Sequence, residues 1–167
     1  MTYTRRLDSP GTHERAAVGG KGAGLARLAA AGVPVPAAFA VTTAAYADLL
    51  AEGDLGSEIE RLAARTDHGD AAQVTEVTDR IRSRILGAPV PEVAEKEIRR
   101  AYAELGDDAF VAVRSSGTAE DMGEASFAGL YDSYLDVRGA DAVVDAVRHC
   151  WASLWTARAI DYRARRG

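Results

Sequence analysis

Apolar positions recur along this chain with two different periods, and the change of period divides it. Between residues 54 and 106 the spacing is helical: Ile59 and Leu62 make one stripe, and Val74, Val77, Ile81 and Ile85 make another. The turn GAPVP, residues 87–91, separates the second stripe from the helical segment EVAEKEIRRAYAEL, which Gly106 closes. This polar, helical stretch carries no evident chemistry and reads as scaffold. Upstream, Gly22 to Ala31 reads as a helix with Leu25 and Leu28 on one face and Gly32 as its stop. The prolines of VPVP (33–36) hold the backbone extended, and Phe39 to Val41 suits a buried strand. Thr42 or Thr43 can cap the next helix, AAYADLLAE, which Gly53 ends. The first 18 residues lack a clear period and suit a short strand or a loop.

After residue 106 the pattern changes. AFVAVRSS (109–116) is a short apolar strand with a polar end, and GTAEDMGEAS (117–126) is a loop by composition. FAGLYDSYLDV (127–137) mostly alternates and is rich in β-formers, which predicts a hairpin arm. From Asp141 to Arg165 a long helix is expected to turn Val144, Val147, Trp151, Leu154 and Trp155 inward. Helices, a strand, a hairpin and a closing helix, in that order, read as an α+β fold.

Composition narrows the class. A chain of 167 residues, 47% hydrophobic and 27% charged, has the make-up of one soluble globular domain with a real core. A net charge of -5 offers no basic surface for nucleic acid. No apolar run approaches the ~20 residues that span a bilayer, so no membrane partner is expected. MTYTRRLDSP lacks the apolar core of a signal peptide, and the lone Cys150 excludes an internal disulfide, so a cytoplasmic location is expected.

Two segments carry candidate chemistry. Lys21 and Lys96 are the only lysines, and every other basic residue except histidine is arginine. Lys21 sits inside GGKGAG (19–24), and a compact ammonium suits a phosphate as a point charge. The loop is not a Walker A sequence: Arg15 stands where that motif needs its first glycine, and Gly22 where it needs Ser or Thr. It is not a dinucleotide fingerprint either, because the third glycine would fall at Leu25. The physics remains: glycines allow close approach, and a helix starting near Gly22 offers free N–H groups to an anion. A plain glycine turn with a solvated lysine explains the same residues.

Arg114 ends the apolar strand after Val111, Ala112 and Val113, where a partly desolvated charge needs an anionic partner. That partner is either a phosphate or the nearby Glu120 and Asp121, with Ser115, Ser116 and Thr118 adding hydroxyls. Gly129 lies within a strand pattern, which points to a close backbone approach, a bulge or a simple bend.

Together, GGKGAGLARLAAAGVPVPAAFAVTTAAYADLL, VAVRSSGTAEDMGEASFAGLYDSYLDV and AVRHCWASLWTARAIDYR are similar to the N-terminal nucleotide-binding region of the phosphoenolpyruvate synthase and pyruvate phosphate dikinase family, to which rifampicin phosphotransferases are related. The resemblance runs from Val18 to Arg165 and is weak only in the helical middle. It implies the N-terminal lobe of an ATP-grasp fold over residues 1–167, with helices on a small, mostly antiparallel sheet and a glycine-loop hairpin. It implies ATP as ligand, its phosphate passing to a histidine and then to pyruvate or another acceptor. By resemblance Lys21 and Arg114 are the catalytic, phosphate-binding cations, and Gly129, Ser133 and Tyr134 belong to the glycine loop over the phosphates. Gly117 and Leu130 depart from the residues common in the family and leave the subgroup open.

The resemblance also implies parts outside these residues: the strand that binds adenine, the second lobe with the magnesium ligands, and the phosphohistidine domain. His13, His68 and His149 do not stand in the phosphohistidine context. The expectation is therefore an ATP-binding lobe inactive alone, with a second polypeptide as partner if the remainder is encoded separately. The alternative is a non-catalytic nucleotide- or protein-binding module.

Overall fold

The computed structural model describes residues 2–9, 11–106, 108–117, 132–157, 159 and 160. Among them six α-helices and two two-stranded antiparallel sheets form the α+β architecture that the order of periods predicts. The described strands divide between two separate ladders, where one small sheet was expected.

In the first ladder β1 (Thr4–Arg6) pairs with β2 (Phe39–Val41), Thr4 opposite Val41 and Arg6 opposite Phe39. Between them runs α1 (Arg15–Ala30), longer than the helix expected from Gly22 and broken at Gly19, where φ is 71° and ψ 178°. Gly32, at φ +76°, ends it, and the Val33 N–H reaches back to the Leu28 carbonyl at 3.0 Å. The face that α1 buries is made of small residues, Gly22, Ala23 and Ala26, because the helix lies close to its neighbours. Leu25 and Leu28, which share another face of the helix, are 39% and 47% exposed.

The scaffold helices match their stripes. α2 (Thr43–Ala51), α3 (Leu55–Ala64), α4 (Ala71–Gly87) and α5 (Glu92–Ala103) bury Leu49, Ile59, Ile81, Ile85 and Ile98 in one core. Asp70 caps α4, its carboxylate accepting from the Ala72 and Gln73 N–H groups at 3.0 and 3.2 Å. Thr42 occupies the N-cap of α2, but its hydroxyl donates to the Thr2 carbonyl at 3.1 Å instead of capping.

β3 (Val111–Arg114) and β4 (Ser133–Val137) form the second ladder, with Arg114 opposite Ser133 and Val113 opposite Tyr134. The register shifts between Val111 and Val113, and Asp136 adopts φ +53°, the mark of a bulge in β4. α6 (Ala140–Ser153) closes the core, ending earlier than the helix expected to Arg165; Trp151 is buried while Leu154 and Trp155 are half-buried. Trp155 donates its indole N–H to the Tyr46 hydroxyl at 2.7 Å, and Tyr46 lies 5.9 Å from the Trp151 ring, so both tryptophans are covered by α2. The buried Tyr102 hydroxyl donates to the Ala109 carbonyl at 2.7 Å and accepts from the Gly139 N–H at 2.9 Å. One side chain of α5 thus fixes the entry to β3 and the exit from β4. No helix among the described residues is long and apolar enough to cross a membrane.

Candidate functional site

The glycines of α1 seat a distant piece of chain. At Gly19 the backbone is left-handed, and a Cβ there would collide with the Ser116 carbonyl and hydroxyl. The segment Ser115–Gly117, which leaves β3, therefore lies directly on the start of the helix. The Gly20 N–H donates to the Gly117 carbonyl at 2.9 Å, and the Gly22 N–H to the Ser116 hydroxyl at 3.0 Å. Lys21 donates from Nζ to the Ser115 carbonyl at 3.2 Å. The expectation that these helix-start N–H groups await an anion is corrected: Gly20 and Gly22 spend theirs on the chain's own Ser116 and Gly117.

Docking brings Lys21 to the end of the strand that carries Arg114. Arg114 follows the alternation of β3 outward and is exposed, as is Ala112, while Val111 and Val113 face inward. The desolvated position expected for Arg114 is thus corrected, since the alternation turns its side chain to solvent. Among the described residues no carboxylate pairs with it. Glu120 and Asp121, its sequence-neighbour candidates, lie outside the described residues, as does Gly129. Ser133 stands exposed opposite Arg114, so a hydroxyl and a guanidinium share one end of the ladder.

Tyr134, one step further along β4, is half-buried against His149 of α6, with ring centroids 5.6 Å apart. Its hydroxyl lies 3.3 Å from an Asp132 carboxylate oxygen. Burial first, then the Asp132 charge, pushes the phenol up to about 12, so it remains a neutral donor at ordinary pH. Beneath it the buried Cys150 thiol is also pushed up to about 12, by burial and by Asp132, with Lys21 opposing. Lys21, Asp132, Tyr134, His149 and Cys150 therefore surround one junction of α1, β4 and α6. The His149 Nε2 lies 3.6 Å from an Asp145 carboxylate oxygen one turn earlier on α6.

Of the five residues expected from the sequence, Lys21, Arg114, Ser133 and Tyr134 lie at the β3–β4 end, Arg114 and Ser133 on the outward face of the ladder and Tyr134 on the inward one. Ser116 and Gly117 are the contributors whose role sequence reasoning missed. The available signal was two glycines before Lys21 and a small, polar run after Arg114, and neither states that one seats the other.

Comparison with known proteins gives a concordant result. The family model described as pyruvate phosphate dikinase, AMP/ATP-binding domain, matches residues 15–167. The phosphoenolpyruvate synthase of Pyrococcus furiosus is 41% identical over 187 aligned residues, covering 90% of this chain and 23% of that protein. The probable phosphoenolpyruvate synthase of Staphylothermus marinus is 46% identical over 157, covering 90% of this chain and 19% of that protein. The phosphoenolpyruvate synthase of Pseudomonas aeruginosa is 41% identical over 174, covering 100% of this chain and 22% of that protein. The chain spans about a fifth of the length of these relatives.

Proposed function

We propose, since the chain belongs to the pyruvate phosphate dikinase AMP/ATP-binding domain family, that it is the ATP-binding first lobe of an ATP-grasp phosphotransferase of the phosphoenolpyruvate synthase kind. Residues 1–167 make up that lobe. ATP supplies the phosphoryl group, which passes to a histidine outside these residues and then to pyruvate or another acceptor. The task of this chain is to bind the polyphosphate, orient it and offset its charge.

The docking of Lys21 on the strand end that carries Arg114 supports the reading most. Lys21 and Arg114 are assigned to the phosphates from two directions, one from a helix start and one from a strand. Ser133 and the neutral Tyr134 hydroxyl frame the same end, and Gly129 is assigned to the loop over the phosphates. Among the described residues no group of three or more His, Cys, Asp or Glu could hold a metal. By resemblance to the family, the magnesium that accompanies ATP is assigned to ligands outside these residues, on further sequence or on a second polypeptide, together with the adenine-binding strand. The chain alone binds ATP weakly, through its phosphates, and does not complete transfer. Its location is assigned to the cytoplasm, where ATP is abundant.

Lys21→Ala and Arg114→Ala each remove a charge-assisted contact, which is worth about 1.5–3 kcal/mol. Calorimetric titration of ATP should then show each variant binding about tenfold to a hundredfold more weakly than the wild type. Unchanged affinity in both variants would overturn the assignment.

A further inference from the structure

We infer that Ser116 is a positioning residue, a latch that holds Lys21 and Arg114 as one anion-binding unit. The inference rests on the ATP-binding reading above. Lys21 and Arg114 lie on elements separated by a long excursion of the chain, and no described contact joins their side chains directly. What joins them is the segment after Arg114. The Ser116 hydroxyl accepts the Gly22 N–H at 3.0 Å, and the Gly117 carbonyl accepts the Gly20 N–H at 2.9 Å. These two bonds bracket Lys21 on both sides, and Lys21 closes the set through the Ser115 carbonyl at 3.2 Å.

The fit leaves little slack. Gly19 has no room for a Cβ because the Ser116 backbone occupies that space, and Gly22 is itself pressed on Val18, where a Cβ would sit 3.1 Å from the Val18 Cβ. Ser115 is buried, so the segment is anchored as it leaves the strand. Of the three anchoring bonds, the one from Gly22 ends on the Ser116 side chain, so a substitution can delete it while leaving the backbone and the Lys21 ammonium in place. Deleting it leaves the Gly22 N–H without its acceptor and the strand end tied to the helix start by the Gly20 and Lys21 bonds alone. The ammonium and the guanidinium then lose their fixed separation, and a polyphosphate that must meet both is bound less well.

The test titrates ATP into the wild-type chain and into Ser116→Ala, Ser116→Thr, Lys21→Ala and the double variant Ser116→Ala/Lys21→Ala. Ser116→Ala should weaken ATP about fivefold to tenfold, the scale of one hydrogen bond. Ser116→Thr keeps the hydroxyl and should stay within about twofold of wild type. In the Lys21→Ala background the loss of the hydroxyl should cost less than in wild type, because part of what it positions is gone. Gly19→Ala attacks the same latch from the other side and should reproduce the Ser116→Ala loss; if it does not fold, the Ser116 variants decide alone. Wild type that binds no ATP removes the functional reading and this inference with it. Wild type that binds, with Ser116→Ala equally tight or with Ser116→Thr as weak as Ser116→Ala, overturns the latch alone.

Discussion

Cys150 and Tyr134 give the junction beneath the proposed phosphate site a pH dependence that can be read as stability. In the folded chain the thiol is raised from 9.0 to about 12, chiefly by burial. Between those values the unfolded chain has released the proton and the folded chain still holds it. Stability is therefore fully present below pH 9 and is lost as pH rises toward 12. Tyr134, raised from 10.0 to about 12, acts with the same sign but begins later. Urea denaturation should show a loss on the order of 1 kcal/mol from Cys150 by about pH 10, and Cys150→Ala should remove most of it. A Cys150→Ala chain with the wild-type pH slope would contradict the burial of the thiol. At Gly19, the need for φ +71° and for space beside Ser116 coincide, and only glycine meets both.

At the scale of elements, α3, α4 and α5 were legible because each carries an apolar stripe at helical spacing, and the core they make needs little else. β1 was legible only as one of two alternatives, a short strand or a loop: Thr4–Arg6 is three residues with no period, held from outside. The Glu97 carboxylate of α5 accepts from the Tyr3 N–H at 2.7 Å and the Thr4 N–H at 3.0 Å, while β2 supplies the other edge. Glu97→Ala should therefore release β1 and destabilise the chain by about 1–2 kcal/mol, the lower part of the range for charged hydrogen bonds because the carboxylate is half-exposed. Chemical denaturation measures the loss, and hydrogen exchange should quicken at Thr4 and Val41 while Ile98 stays protected. Equal stability of variant and wild type would show that β2 alone holds the strand. The kink in α1 was hidden for a related reason. A glycine pair permits a break but does not demand one, and the demand comes from Ser116, which is remote in sequence. The outward Leu25 and Leu28 follow from the same cause, since a helix that approaches closely through Gly22, Ala23 and Ala26 has no room for leucine on that face.

For the whole molecule, the candidate site is a product of topology. The helical middle of the chain separates the glycine turn from the arginine strand, and the fold returns β3 to the start of α1. The residue types at the site were legible: a rare lysine among glycines, an arginine ending a strand, hydroxyls beside it. Their meeting was not, because it depends on contacts between segments more than ninety residues apart, such as the Lys21–Ser115 bond with a separation of 94. Resemblance to a known family suggests that link, and the family itself is shown by the match over residues 15–167. Lys21 and Arg114 are proposed to hold ATP through its phosphates. A titration of the wild-type chain with ATP, ADP, AMP and inorganic triphosphate, repeated on Lys21→Ala/Arg114→Ala, decides whether they do. Affinity should fall from ATP to ADP to AMP, inorganic triphosphate should compete with ATP, and the double variant should lose the distinction. AMP bound as tightly as ATP, or a double variant that ranks the nucleotides as the wild type does, would contradict that role.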